Sequence, residues 1–342
     1  MKKIQIKGRT GASAILVNES MQNIARYLPD EHVIIVTDDI VRRFYGNAFP
    51  SADVIQIGSG ENIKTLDTVA DIYDRLIRLK ADRTTFLLGI GGGIVCDIAG
   101  FVASTYMRGI RFGYVATTLL SQVDASVGGK NGVNFGGYKN MVGVFNQPEF
   151  VACDMSLLAT LPEKEISCGF AEIIKHAAIA DSDMFAYLET HHEKALSLEL
   201  TVIEKLVYDS VAIKAAVVGK DEKEKGERRK LNFGHTFGHA IEKTTGISHG
   251  EAVSLGMVMA AAISVQKGLL SPAEEIKLCG LLKTYRLPLR WQLNKASLWD
   301  ALQKDKKRES ERMHFVLLKG LGKAVIEQLP MNAVKGYLDW FF

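Results

Sequence analysis

The chain has 342 residues, enough for one large domain or two ordinary ones with ample core. Apolar residues make up 47% and charged ones 24%, the profile of an ordinary globular enzyme, and the net charge of +3, with acids and bases interspersed, argues against a nucleic-acid surface. Four scattered cysteines (Cys96, Cys153, Cys168, Cys279) without a C-x-x-C spacing point to a reduced, cytoplasmic setting, and neither a signal peptide nor a run of membrane-spanning length is evident.

In chain order, Val33-Ile34-Ile35-Val36 and Val54-Ile55-Gln56-Ile57 read as buried strands, and residues 62–80 carry apolar residues at helical spacing. Thr85-Phe86-Leu87-Leu88 reads as a third strand and runs into Gly89-Ile90-Gly91-Gly92-Gly93. Residues 94–107 then read as a helix and Tyr114-Val115-Ala116 as a further strand. This β-α-β-α-β order predicts an α/β domain over residues 1–155, with a mostly parallel sheet and helices on both faces. Residues 121–147 are glycine-rich and polar, and they are expected to form a long ordered loop of the kind that carries function.

Beyond about residue 155 strand runs nearly vanish. Segments 165–180, 183–195, 199–218, 234–244, 249–267, 273–284 and 296–304 read as helices, and a hairpin is expected from 314–318 and 324–327. Residues 156–342 are therefore expected to form a mainly α-helical domain. The charge run Lys220 to Lys230 reads as a solvated loop, with Arg228 at its end as the exception.

Several motifs carry chemistry. Gly91-Gly92-Gly93 follows a strand and opens a helix, a placement that suits a dinucleotide pyrophosphate. Asp97, one turn on, is either an acid complementing the helix dipole or a contact near a cofactor. Glu61 and Lys64 stand at a helix start, where capping competes with a ribose or adenine contact. Thr117 and Thr118 end a strand at the carboxyl edge of the sheet, where they can reach a ligand. Lys130 follows two glycines and suits a phosphate or carboxylate. Glu172 and Lys175 share a helix face, as a simple salt bridge or as a metal ligand beside a cation for a substrate anion. His235, His239 and His249 fall within fifteen residues, beside Arg228 and Asn232. Two His four apart can be a mere polar stripe. The third His and the surrounding Gly234, Gly238 and Gly250 favour a metal site, with Glu172 the best carboxylate donor upstream.

Taken together, G-G-G-I-V-C-D-I-A-G-F-V-A-S-T-Y-M-R-G, A-T-T-L-L-S-Q-V-D-A-S-V-G-G-K-N-G-V-N, K-N-M-V-G-V-F-N-Q-P, G-F-A-E-I-I-K-H, L-N-F-G-H-T-F-G-H-A-I-E and S-H-G-E-A-V-S-L-G-M resemble the 3-dehydroquinate synthase family of sugar-phosphate cyclases, in the family's order and over nearly the whole chain. The resemblance implies a Rossmann-like NAD-binding domain followed by a metal- and substrate-binding helical domain. It implies a lyase dependent on NAD and on zinc or cobalt, acting in the shikimate pathway as a cytoplasmic homodimer. The expected reaction turns 3-deoxy-D-arabino-heptulosonate 7-phosphate into 3-dehydroquinate and phosphate by transient oxidation, phosphate elimination, re-reduction and aldol closure.

By the same resemblance, metal ligation falls to Glu172, His235 and His249. NAD contacts fall to Asp38, Glu61, Lys64, Gly92, Gly93, Asp97, Thr117, Thr118, Asp124, Lys139 and Thr160. Substrate contacts fall to Lys130, Asn140, Lys175, Lys214, Arg228, Asn232 and His239, with His239 relaying protons. Arg108 matches an arginine that reaches a neighbouring subunit's site, and Lys306 lies in a late D-K-K motif. The sequence departs from the family pattern at Cys96, at Ile40, in N-F-G-G-Y-K-N and at His176-Ala177-Ala178, and none of these changes removes a presumed metal or anion ligand. Competing readings are a deoxy-inosose or valiolone synthase, whose substrates lack the carboxylate, and a glycerol-type metal-dependent alcohol dehydrogenase. Lys214, Arg228 and Asn232 together favour a carboxylate-bearing substrate.

Overall fold

A computed structural model describes residues 1–8, 10–303, 308–309 and 312–342. The chain folds into two compact units: Met1–Ile166 with Ile203–Lys223, and Ser167–Val202 with Glu224–Phe342.

The first unit opens with an antiparallel hairpin of β1 (Lys2–Gly8) and β2 (Gly11–Val17). It continues through β3 (Val33–Asp38), α1 (Asp39–Tyr45), β4 (Asp53–Ile57), α2 (Leu66–Arg78), β5 (Phe86–Gly91), α3 (Gly93–Thr105) and β6 (Arg111–Ala116). A second hairpin, β7 (Lys130–Phe135) and β8 (Tyr138–Phe145), precedes β9 (Phe150–Cys153). One seven-stranded sheet runs β1-β2-β9-β6-β5-β3-β4, parallel throughout except for the β1/β2 pair. Its central strands are apolar because both faces are covered, and β5 is buried at every residue. Leu16, Ile35, Leu88, Ile90, Val115 and Ala152 form the heart of this core. α2 buries Val69, Ile72 and Leu76, the spacing of one helical stripe, and the Thr65 hydroxyl caps its start by accepting from the Thr68 N–H.

The chain leaves β3 toward the β4 edge, then returns past β3 to β5 and continues outward to β6. The carboxyl ends of β3 and β5 therefore flank the point where the winding reverses, the usual ligand crevice of such sheets.

Next come α4 (Glu163–Ala180), α5 (Ser182–Thr190), α6 (His192–Leu196) and α7 (Leu200–Lys220), most of α7 belonging to the first unit. The second unit continues with α8 (His235–Thr245), α9 (His249–Gln266), α10 (Pro272–Thr284) and α11 (Lys295–Gln303). The small antiparallel sheet β10 (Arg308–Glu309), β11 (Arg312–Leu318) and β12 (Ala324–Pro330) and a final helix, α12 (Met331–Phe341), complete it. Among the described residues no helix is long and apolar enough to cross a membrane. All four cysteines are free thiols, and burial pushes Cys153 up to about 12, which leaves it unreactive.

This is the α/β sheet followed by helices that the sequence predicts, with three differences. Residues 121–147 are not a loop: they form a helical turn, Ser121–Ala125, and the β7/β8 hairpin. Their glycines serve close strand pairing. Gly132 faces Gly143, and a Cβ on either would lie 2.6 Å from the opposite strand's carbonyl oxygen. Gly136 and Gly137, at φ 59° and 78°, make the tight turn. The charge run from Lys220 is not wholly solvated, because the buried Glu222 carboxylate accepts from Thr10 and from Gln147 Nε2 at 3.2 Å. The helix expected over 183–195 breaks at His191 into α5 and α6.

Candidate active site

In the second unit, glycines let three helices approach closely enough to bring distant side chains together. Gly234 takes the left-handed φ of 77° ahead of α8, and a Cβ there would stand 2.6 Å from Met257 Cγ on α9. A Cβ on Gly256 would strike the Gly234 carbonyl oxygen, and one on Gly250 would strike Cys168 on α4. What Gly234, Gly250 and Gly256 approach is mainly the backbone of a neighbouring element. The Glu251 carboxylate accepts from the Ser248 N–H at 2.9 Å and hydroxyl at 2.6 Å, fixing the first turn of α9 with His249 at its head.

α4 thus presents Glu172, α8 His235 and α9 His249. Their donor atoms all lie within 4.8 Å of one another. His235 Nε2 is 3.4 Å and His249 Nε2 3.5 Å from the same oxygen, Glu172 Oε1. In a tetrahedral zinc site with ligands at about 2.0–2.1 Å, neighbouring ligand atoms stand roughly 3.4 Å apart. Two imidazoles and a carboxylate are also the donor set of an open catalytic site, so these residues fit a divalent cation. Burial opposes charge on the His249 imidazole, but hydrogen bonds to Glu172 and Glu242 prevail and hold it protonated up to about 10. Ligation therefore requires that imidazole to release a proton.

Glu172 is fully buried, and its second oxygen pairs with Lys175, which is 1% exposed. Taking this pair out of water is costly unless the surroundings compensate, which marks the spot as a place where charge has been retained. His239 lies beside the cluster, its ring centre 5.3 Å from that of His235 and 6.3 Å from that of His249. Arg228 is buried on the turn Glu227–Asn232, and the Asn232 side-chain amide donates to Glu224 Oε1.

In the first unit, the cofactor candidates gather at the carboxyl edge of the sheet and beside it. Asp38 ends β3 and caps α1, its Oδ1 accepting from Val41 N–H at 2.7 Å; burial holds its carboxyl above the ordinary range. Gly92 and Gly93 follow β5. A Cβ on Gly92 would lie 3.0 Å from Thr118 Cγ2 and one on Gly93 2.8 Å from Ala125 Cβ, so a side chain at either would fill this cradle. Thr117 N–H donates to the Gly91 carbonyl at 3.0 Å, and its buried hydroxyl has no hydrogen-bond partner among the described residues. Thr118 and Ser121 exchange hydrogen bonds of 3.1 Å. This cradle at the reversal point fits a dinucleotide.

Lys64 pairs with Asp97 and donates to Asn140 Oδ1 at 2.6 Å, while Lys139 lies 3.5 Å from Glu61. Burial raises the Asp97 carboxyl above its ordinary range, against the pull of Lys64. Lys214 donates to both the carbonyl and Oδ1 of Asp124 at 2.6 Å. Thr160 bonds the Tyr45 hydroxyl at 2.7 Å. Lys130, at the head of β7, and Arg108, at φ 71°, are exposed. Lys306 lies outside the described residues. Two groups escaped the sequence reading. Asn134 bridges to Glu61 at 2.8 Å, and Glu242 faces His249. Glu242 had a signal, since seven residues separate it from His235, two helical turns on one face.

Comparison with known proteins matches both halves of the chain. The model for the 3-dehydroquinate synthase N-terminal family covers residues 54–168, and that for its C-terminal family covers residues 169–308. A 3-dehydroquinate synthase from Dehalococcoides mccartyi (strain CBDB1) is 41% identical over 92% of this chain and 90% of its own. Among solved structures, a 2-deoxy-scyllo-inosose synthase complexed with carbaglucose-6-phosphate, NAD+ and Co2+ is 27% identical, with a TM-score of 0.87, over 98% of this chain and 99% of its own. The 2-epi-5-epi-valiolone synthase from Streptomyces hygroscopicus subsp. jinggangensis 5008, with NAD+ and Zn2+ bound, is 25% identical, with a TM-score of 0.88, over 99% and 97%.

Proposed function

Because this chain belongs to the 3-dehydroquinate synthase family, we propose that it converts 3-deoxy-D-arabino-heptulosonate 7-phosphate into 3-dehydroquinate and phosphate, a carbon–oxygen lyase reaction of the shikimate pathway. The observation that carries this reading is the convergence of Glu172, His235 and His249 within a chain 41% identical to named 3-dehydroquinate synthases. Held by those three side chains, a zinc or cobalt ion supplies Lewis acidity toward a substrate hydroxyl. NAD supplies a hydride acceptor regenerated within the turnover; Asp38, Gly92, Gly93, Thr117 and Thr118 hold it, with Glu61, Lys64, Asp97, Asp124, Lys139 and Thr160 around them.

The remaining candidates bind and move protons. Arg228, Asn232 and Lys214 orient the carboxylate, and Lys130, Asn140 and Lys175 neutralise the phosphate, with Lys306 and Arg108 contributing further positive charge. Charge-assisted hydrogen bonds are roughly twice as strong as neutral ones, which suits these residue types to a substrate carrying two anionic groups. His239, beside the ion cluster, passes protons to and from the reacting hydroxyls. In this reading residues 1–155 form the domain that supplies most NAD contacts, and residues 156–342 the domain that supplies the cation ligands and most substrate contacts. The enzyme works as a cytoplasmic homodimer, with no nucleic-acid or membrane partner.

Likeness to the inosose and valiolone synthases supports the fold and the cyclase chemistry equally for either substrate class. The higher identity to 3-dehydroquinate synthases and the retained Arg228, Asn232 and Lys214 favour the carboxylate-bearing substrate. The test is phosphate release from the heptulosonate phosphate with catalytic NAD, while absorbance follows NADH. Phosphate without net NADH supports the proposal, and stoichiometric NADH would mark a dehydrogenase instead. Equal turnover of an analogue lacking the carboxylate would assign the chain to another cyclase class.

A further inference from the structure

We propose that Glu242 is a positioning residue that fixes the tautomer and ring orientation of His249, so that Nε2 faces the cation; this rests on the cation-binding reading of the Glu172, His235 and His249 cluster. Glu242 is 8% exposed, and its Oε2 lies 3.5 Å from His249 Nδ1. An ionised carboxylate can only accept, so Nδ1 donates to Glu242, and Nε2, which stands 3.5 Å from Glu172 Oε1, is the nitrogen left to release its proton and turn its lone pair to a cation. His235 is set in the same sense by a different acceptor. Its Nδ1 is 3.1 Å from the Phe233 carbonyl oxygen, and its Nε2 faces the same Glu172 oxygen at 3.4 Å.

The two imidazoles differ in what else holds them. The His235 side chain is 10% exposed, whereas that of His249 is 29% exposed, at the first residue of its helix. With less packing around it, the His249 ring depends more on its hydrogen bond. The acceptor comes from α8 while the ligand comes from α9, so the contact also ties the head of α9 to the helix carrying His235. A partner of this kind raises ligand basicity as well as fixing the ring, and its loss weakens metal affinity by about 10–100-fold.

The test uses the full chain and titrates Zn2+ and Co2+ against a competing chelator in the parent protein, Glu242→Gln and Glu242→Ala. Thermal unfolding of each cation-free variant serves as the folding readout. The expected result is an affinity loss of about 10–100-fold in both variants, with an altered visible spectrum of bound Co2+ and an unfolding transition that remains cooperative in each. Nitrogen NMR of His249 in the loaded parent protein should show the proton on Nδ1. Unchanged affinity and spectrum in both variants, or a proton on Nε2, overturns the role of Glu242. A parent protein that binds no stoichiometric cation instead overturns the reading of the cluster, and the proposal falls with it.

Discussion

Gly250→Ala tests whether helix packing, rather than ligand identity alone, builds the cluster. The added methyl would strike Cys168 Cα on α4, and it would sit 2.9 Å from Cys168 Cβ and 3.0 Å from the Cys168 carbonyl oxygen. Ordinary contacts need about 3.5–4.0 Å, so the head of α9 must retreat from α4 by roughly 0.5–1 Å. His249 precedes Gly250 and moves with it, while Glu172, on α4, stays behind. Metal–ligand distances tolerate only about ±0.2 Å, so cation affinity should fall at least about tenfold, or about 1.4 kcal/mol. Overpacking of this kind costs about 1–3 kcal/mol, which lowers Tm by about 1–2 °C per kcal/mol in a chain of 342 residues. Chelator competition and thermal unfolding of the same preparation read both quantities. A Gly250→Ala variant with parental cation affinity and Tm would refute the packing argument.

Gly280→Ala is the contrasting case: it lies within α10 with nothing within 4 Å of an added Cβ, and it should raise stability by about 0.5–1 kcal/mol in chemical denaturation. Lys64→Met leaves the Asp97 carboxylate short of its cation and should destabilise the fold by about 3 kcal/mol near neutral pH. The sign of its pH dependence follows from burial, which holds the folded-state carboxyl of Asp97 above its unfolded value. The cost of charge is therefore full above the folded pKa and vanishes below the unfolded one, so the Lys64→Met deficit should shrink as pH falls. A deficit that grows with acidification contradicts this. Gly132→Ala should disrupt the β7/β8 hairpin, because its methyl meets the Val142 carbonyl oxygen at 2.6 Å; proteolysis within residues 130–145 would show it, and parental resistance would not fit.

The sheet was legible because its central strands are continuous apolar runs between glycine turns, and β3, β4, β5 and β6 all fall where those runs lie. β1, β2 and β9 were not placed: the first two alternate weakly, and Phe150–Cys153 is only four residues long. The β7/β8 hairpin was hidden because glycine signals a loop in isolation, and only the facing pair Gly132 and Gly143 shows that it permits backbone approach instead. At the site, spacing within one helix reveals the kinship of His235 and His239, but no spacing rule joins Glu172 to His249 across 77 positions. The chemistry of an open metal site points upstream to Glu172, motif resemblance implies the set of Glu172, His235 and His249, and helix packing through Gly234, Gly250 and Gly256 gives it a physical basis. Glu242 and Asn134 were missed because a lone carboxylate or amide acquires meaning only from what it faces.

The most direct test of the account is bound metal per chain, measured alongside phosphate release, in the parent protein, Glu172→Gln and His249→Ala. The account predicts one tightly held divalent cation in the parent and, in both variants, a folded chain that has lost the ion and the turnover together. A full complement of metal with undiminished turnover in either variant would contradict it.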